Sequence, residues 1–173
     1  MEVEQGASPD TENGMAAALV RSLGRWVSWL TLLMVVLTFA IVVLRYGFNQ
    51  GWIWFQESVT YLHATVFMVA AAWTFQTDGH VRVDIFYRAR SDRYRNWVNL
   101  LGTLFFLLPF SIFLLYIGWD YVTASWLTRE ASREAGGLPL VFVLKSLILV
   151  LPALLLLQSW ATLRQCLGQL RAT

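Results

Sequence analysis

Charged residues are scarce in this sequence of 173 residues. Only 14% of them are Asp, Glu, Lys or Arg, whereas 57% are hydrophobic. Because about a quarter of the residues of a soluble domain are charged, the shortfall predicts a protein that lies in a lipid bilayer. The net charge is only +2, and the basic residues gather at the ends of apolar blocks rather than on one stripe. We therefore predict no binding of nucleic acid.

Residues that hold metals and cofactors are equally scarce. The one cysteine, Cys166, excludes an internal disulfide and a multi-cysteine metal site. The two histidines, His63 and His80, would lie roughly 25 Å apart along a helix, which argues against a haem held by both within one chain. A haem held by one of them and by a histidine of a partner stays open. The sequence has neither a zinc-ligand spacing nor a glycine-rich phosphate loop. We predict no cofactor, no metal site and no enzymatic activity.

The apolar residues form four blocks, each long enough to cross a hydrocarbon core, for which about 20 residues suffice. The predicted spans cover residues 23–44, 57–77, 97–117 and 141–163. Pro109 and Pro152 lie inside the third and fourth spans, where a proline predicts a kink rather than an end. The fold class that follows is an all-α integral membrane protein with four transmembrane helices.

Polar segments flank this four-helix membrane domain, which we assign to residues 17–165. Residues 1–16 are acidic and rich in small residues, which predicts a flexible cytoplasmic tail. A secretory signal would begin with basic residues and have a shorter apolar core, so we expect no cleavage. Residues 166–173 form a second cytoplasmic tail.

Three connections between the spans have distinctive compositions. Residues 47–56 are either a short helix lying flat at the interface or an ordinary turn with aromatic anchors. Residues 85–94 alternate apolar residues with arginine and predict a short interfacial helix. Residues 127–139 pair Arg129 with Glu130 and Arg133 with Glu134, a spacing that suggests a solvated helical turn with weak ion pairs.

The basic residues are distributed unequally between the two ends of the spans. Five arginines crowd the loop of residues 76–95, namely Arg82, Arg88, Arg90, Arg93 and Arg95. With both termini inside, nine basic residues flank the inner ends of the spans and three flank the outer ends, Arg45, Arg129 and Arg133. Because basic residues favour the cytoplasmic side, the sequence predicts a topology with both termini inside.

Ionisable residues within spans are candidate functional residues by default. Lys145 lies in the first two turns of the fourth span. We expect it to form an ion pair with Glu57 or Asp120, at the same end of the membrane domain, or to extend to the interface. We expect His63 to be a neutral hydrogen-bonding group at a helix contact rather than a site for substrate or protons.

Two motifs together resemble a known family. Arg45–Asn49 (RYGFN) is followed by tryptophans and by Gln56-Glu57 at the start of a span, and Gly79–Asp84 (GHVRVD) follows that span. These motifs, the four-span layout and Lys145 resemble the small, DctQ-type membrane subunit of tripartite ATP-independent periplasmic (TRAP) transporters. Gln56 departs from the pattern, because the family often has a second acidic residue there.

The resemblance implies a place in the bacterial inner membrane and two partners. One is a large permease subunit that carries substrate and sodium, and the other is a periplasmic protein that captures the substrate, usually an organic acid. It implies that the small subunit braces the large one and helps the binding protein to dock. The candidate structural or partner-contact residues are Arg45, Glu57, His80, Arg82, Asp84 and Lys145.

The GHVRVD motif also supports an interpretation that does not depend on the resemblance. In an extended turn Arg82 and Asp84 share a side, where Arg82 would meet lipid phosphate or an acidic group. Asp84 would then cap the interfacial helix that begins at Ile85.

Two other classes of membrane protein stay open as alternative interpretations of the sequence. A small four-helix exporter needs a membrane-buried carboxylate in its first span, and this sequence has none there. The membrane anchor of a redox enzyme usually needs more histidines for haem.

Overall fold

The computed structural model describes residues 15–77, 79 and 90–172, and over these residues it is helical without strands. Its helices are α1 (Met15–Gly47), α2 (Ile53–Gln76), α3 (Asp92–Gly102), α4 (Leu108–Leu127) and α5 (Val141–Ala172). A π-helical segment, Thr103–Leu107, joins α3 to α4 in one rod of 36 residues. This rod and the other three helices are long and apolar enough to cross a membrane, which confirms the four predicted spans.

The third span departs from regular α-helix next to its proline. The π-helical segment ends two residues before Pro109, which lies in the first turn of α4. Proline donates no backbone hydrogen bond, and its ring collides with the preceding turn. A wider π turn is one way in which a helix absorbs such a break. Pro152, in contrast, lies fully buried inside α5, which continues past it.

The helices are longer than the predicted spans because they extend beyond the apolar core. The rod begins at Asp92 and ends at Leu127, so part of the predicted 85–94 interfacial helix is the start of α3. Ser91 caps this start, where its side chain accepts from the amide of Tyr94 at 3.4 Å. The predicted helix start at Ile85, with Asp84 as its cap, lies outside the described residues.

The four spans form an open row rather than a closed bundle. In the described chain α1 packs on α2, α2 on α5, and α5 on α3 and α4, and a smaller contact joins α1 to α5. Val20, Ala72 and Leu155, from α1, α2 and α5, share one buried cluster. No comparable contact joins α1 to α4. Only 6–17% of the residues in the apolar windows of the spans are buried. Close approach of α1 to α2 requires Gly24, because a Cβ atom there would lie 2.5 Å from the ring of Trp73.

The connection between α1 and α2 is a turn, not a helix lying flat. Residues 48–52 are non-helical, and Asn49 adopts a left-handed conformation with φ of 52°. Asparagine tolerates this conformation better than most residues, and here it lets the amide of Gln50 donate to the carbonyl of Leu44 at 2.9 Å. The RYGFN motif therefore ends α1 and reverses the chain.

Candidate functional site

The loop that joins α4 to α5, residues 128–140, is held against the start of α2 by Glu57. One carboxylate oxygen of Glu57 accepts from the hydroxyl of Ser132, and the other accepts from the amide of Leu138 at 2.6 Å. The amide of Trp54, one of the free donors in the first turn of α2, donates to the carbonyl of Gly136 at 3.2 Å. These bonds join a loop and a helix that are far apart in sequence.

The loop is shaped so that Glu57 can reach it. The amide of Ser132 donates to the carbonyl of Leu138 at 3.1 Å, and the amide of Gly137 donates to that of Glu134 at 3.0 Å. Gly136 has φ of 79°, a conformation that favours glycine. A Cβ atom at Gly137 would lie 2.9 Å from a carboxylate oxygen of Glu57. The two glycines therefore close the loop and leave room for the carboxylate.

A second carboxylate, Glu130, fixes the same loop to α4 and α5. One of its oxygens accepts from Nζ of Lys145 at 2.5 Å and from the hydroxyl of Ser125 at 2.8 Å. Nζ of Lys145 also lies 4.0 Å from the centroid of the Tyr121 ring, a cation–π contact. Because Lys145, then Ser125, donates to the ionised form, the pKa of Glu130 is held below its ordinary value.

Lys145 forms the kind of ion pair that the sequence predicts, but with a different partner. Its carboxylate is Glu130, not Glu57 or Asp120. Glu57 is occupied by Ser132 and Leu138, and Asp120 is exposed on α4. The prediction that Glu130 belongs to a solvated helical turn with Arg129 is wrong. The chain leaves α4 at Arg129, whose φ is 46°, and this places Glu130 over the start of α5.

Aromatic contacts complete this end of the membrane domain. The indole NH of Trp126 donates to the hydroxyl of Ser146 at 2.8 Å. The rings of Trp126 and Phe142 pack edge to face, with 4.7 Å between their centroids. We call residues 128–140, together with Glu57 and Lys145, the loop cap. Within the loop cap Glu57, Glu130 and Lys145 form hydrogen bonds with groups of the protein itself. The loop cap therefore joins the ends of α2, α4 and α5.

Arg45 is the other predicted site residue that the structure describes, and it is not part of the loop cap. Arg45 is exposed in the last turn of α1, at the same end of the domain. His80, Arg82 and Asp84 lie outside the described residues, and their roles stay predictions. His63 is exposed on α2, stacked on Phe67 at 6.5 Å between ring centroids, rather than enclosed between described helices.

The described residues contain no group of three His, Cys, Asp or Glu side chains placed to hold a metal. The fold defines a polytopic helical membrane protein, and Glu57, Glu130 and Lys145 of the loop cap join its own segments. The sequence matches the model of the DctQ component of tripartite ATP-independent periplasmic transporters over residues 34–169, and the chain belongs to this family. Members of this family are non-enzymatic transport components of the inner membrane.

A characterised relative agrees with this assignment. The chain is 31% identical over 114 residues to the C4-dicarboxylate TRAP transporter small permease protein DctQ of Vibrio cholerae. The alignment covers 66% of this chain and 48% of the relative, so the chain spans about half of that protein's length. No solved structure matches the chain.

Proposed function

We propose that this chain braces the large permease subunit of a TRAP transporter and helps a periplasmic binding protein to dock during sodium-driven uptake of an organic acid. The observation that carries the proposal is the open row of helices in a member of the DctQ family. Most residues in the apolar windows of its spans are not buried against one another. A subunit of this shape offers a long surface against which a larger moving partner can be held.

The polar groups of the described chain support a bracing role rather than a transport path. Glu57, Glu130 and Lys145 are the less exposed ionic groups of the loop cap, and their hydrogen bonds go to the loop, to Ser125 and to each other. The resemblance places substrate and sodium binding in the large subunit. The C4-dicarboxylate in the relative's name makes succinate a suitable first substrate to test.

The loop cap supplies a surface for the binding protein. Arg129, Arg133 and Glu134 are exposed on a loop whose backbone is fixed by Glu57 and Glu130. A fixed loop loses little conformational entropy when a partner docks. We place this loop on the periplasmic side because the excess of basic residues marks the opposite ends of the spans as cytoplasmic.

Reporter fusions test this topology. Fusions at Gly51, Arg90, Gly136 and the C-terminus should report outside, inside, outside and inside. The bond between Trp54 and Gly136 requires that positions 51 and 136 give the same answer. A fusion at Arg90 that reports outside would contradict the proposed orientation.

Reconstitution tests whether transport of the organic acid requires the large permease subunit. Proteoliposomes with both membrane subunits and the binding protein should accumulate succinate when a sodium gradient is applied. Vesicles that contain this subunit alone should accumulate none, since the organic acid path lies in its partner. Uptake by the small subunit alone would refute the proposal.

The basic loop gives a separate prediction. Arg82→Ala and Asp84→Ala should each weaken co-purification of the two membrane subunits. Arg82→Ala removes the contact of the extended turn with lipid phosphate or an acidic group, and Asp84→Ala removes the helix cap, which is typically worth about 1 kcal/mol. Affinity of the binding protein for its substrate should not change. If both variants assemble and transport like the parent, the loop serves only to set topology.

A further inference from the structure

One face of α2 is polar and uncovered over the first half of the helix. Gln56, Thr60 and His63 are exposed, and their spacing of four and three residues places them on one side of the helix. The buried residues of α2, Val69 and Ala72, lie on the opposite side. We call Gln56, Thr60 and His63 the polar face of α2.

His63 lies inside the predicted span rather than at either end of α2. It lies ten residues after the first residue of α2, which is about 15 Å along a helix about 36 Å long. Within a hydrocarbon core, polar groups without partners are unfavourable. Phe67, one turn further, is 63% exposed and continues the same face with an apolar ring.

The hydroxyl groups of α1 show how this sequence protects polar groups that face lipid. Ser28, Thr31 and Thr38 each donate to the carbonyl oxygen four residues earlier, at 3.1, 3.4 and 2.8 Å. This bond satisfies the hydroxyl within its own helix. Among the described residues Thr60 and Gln56 have no such bond, so the polar face of α2 needs partners from elsewhere.

We propose that the polar face of α2 is the contact surface for one transmembrane helix of the large permease, and that this helix carries an amide, hydroxyl or carboxylate at the depth of His63. The inference rests on the proposed function, which supplies a large membrane partner. An imidazole, a hydroxyl and an amide can each exchange hydrogen bonds with such a group, and lipid tails cannot. Ala70 and Ala71, in the next turns of α2, leave room for a close approach.

Site-specific photo-crosslinking in membranes that contain the complete transporter gives the direct test. A photoreactive amino acid at position 63 should crosslink to the large permease. The same amino acid at Val36, on the exposed apolar face of α1, is the control and should label lipid. Crosslinking of position 63 only to lipid, or to a second copy of this chain, would overturn the inference.

Paired substitutions test the hydrogen bonds. Thr60→Val and His63→Leu should each weaken association with the large permease about three- to tenfold, the change expected for one lost hydrogen bond between membrane helices. Thr38→Val is the matched control, because that hydroxyl is bonded within α1, and it should leave association unchanged. All three side chains are exposed, so unfolding of the isolated subunit should be the same as in the parent.

The outcomes separate this inference from the function on which it rests. If the parent subunit does not co-purify with the large permease at all, the proposed function fails. If the parent complex forms but Thr60→Val and Thr38→Val behave alike, and position 63 labels lipid, only the assignment of the polar face fails.

Discussion

Glu57→Ala is expected to release the loop of residues 128–140 and to abolish most assembly of the transporter. The change removes the two side-chain acceptors that hold the loop to α2, one for the hydroxyl of Ser132 and one for the amide of Leu138. Hydrogen bonds to a carboxylate are stronger than those between neutral groups, and no neighbouring side chain replaces them in alanine. Limited proteolysis of the purified subunit should show cleavage within the loop on the order of tenfold faster than in the parent.

Two variants make this result interpretable. Glu134→Ala removes an exposed carboxylate of the same loop, whose backbone carbonyl rather than its side chain holds Gly137, and it should resist protease like the parent. Glu57→Gln keeps one acceptor oxygen and should be intermediate. If Glu57→Ala resists protease as well as Glu134→Ala does, Glu57 does not hold the loop.

The four spans could be predicted because apolar length alone determines whether a segment crosses a bilayer. The helix ends could not, since hydropathy marks the thickness of the hydrocarbon core and not the last hydrogen-bonded residue. Asp92 and Leu127 show the difference: both belong to the third rod, yet both lie outside its predicted span. Ser91, with its side chain on the amide of Tyr94, is the local signal that marked the start.

The loop cap could not be predicted, because its partners are far apart in sequence. Glu57 meets Ser132 across 75 residues and Leu138 across 81. A charge within a span identifies Lys145 as a candidate and the family motif identifies Glu57, but no local pattern states which loop atom faces which carboxylate. The positive φ of Gly136 and the lack of a side chain at Gly137 are what admit Glu57, and the position of this carboxylate is not visible in the sequence.

The error over Lys145 has a local cause. The pairs Arg129-Glu130 and Arg133-Glu134 have the spacing of a solvated helical turn, and the charges alone favour neighbouring ion pairs. The backbone does not form this helical turn. Arg129 has a left-handed conformation, and the amide of Glu130 donates to the carbonyl of Ser125 at 3.0 Å. Glu130 then points to α5 and reaches Lys145, fifteen residues later.

Lys145→Met should lower assembly and stability while leaving the sodium dependence of the residual transport unchanged. Methionine is apolar and of similar length, so the variant leaves the charge of Glu130, whose side chain is only 32% exposed, without its cation. Removing one partner of a sheltered ion pair is more damaging than removing both. Thermal unfolding in detergent and the sodium dependence of succinate uptake measure the two effects separately. A variant that assembles normally but loses sodium coupling would contradict a structural role.

The companion variant Glu130→Gln shows whether the ion pair is the cause. The double variant, Lys145→Met with Glu130→Gln, should be more stable than Lys145→Met alone, because no unpaired charge is left at the loop cap. The parent should also lose stability on acidification. Its Glu130 has a folded pKa below the unfolded value of about 4, so the stabilisation is complete above that pH and is lost as the pH falls through the folded pKa. This acid-dependent loss should be smaller in the double variant, and equal pH profiles in the two proteins would show that Glu130 and Lys145 do not stabilise the fold as a pair.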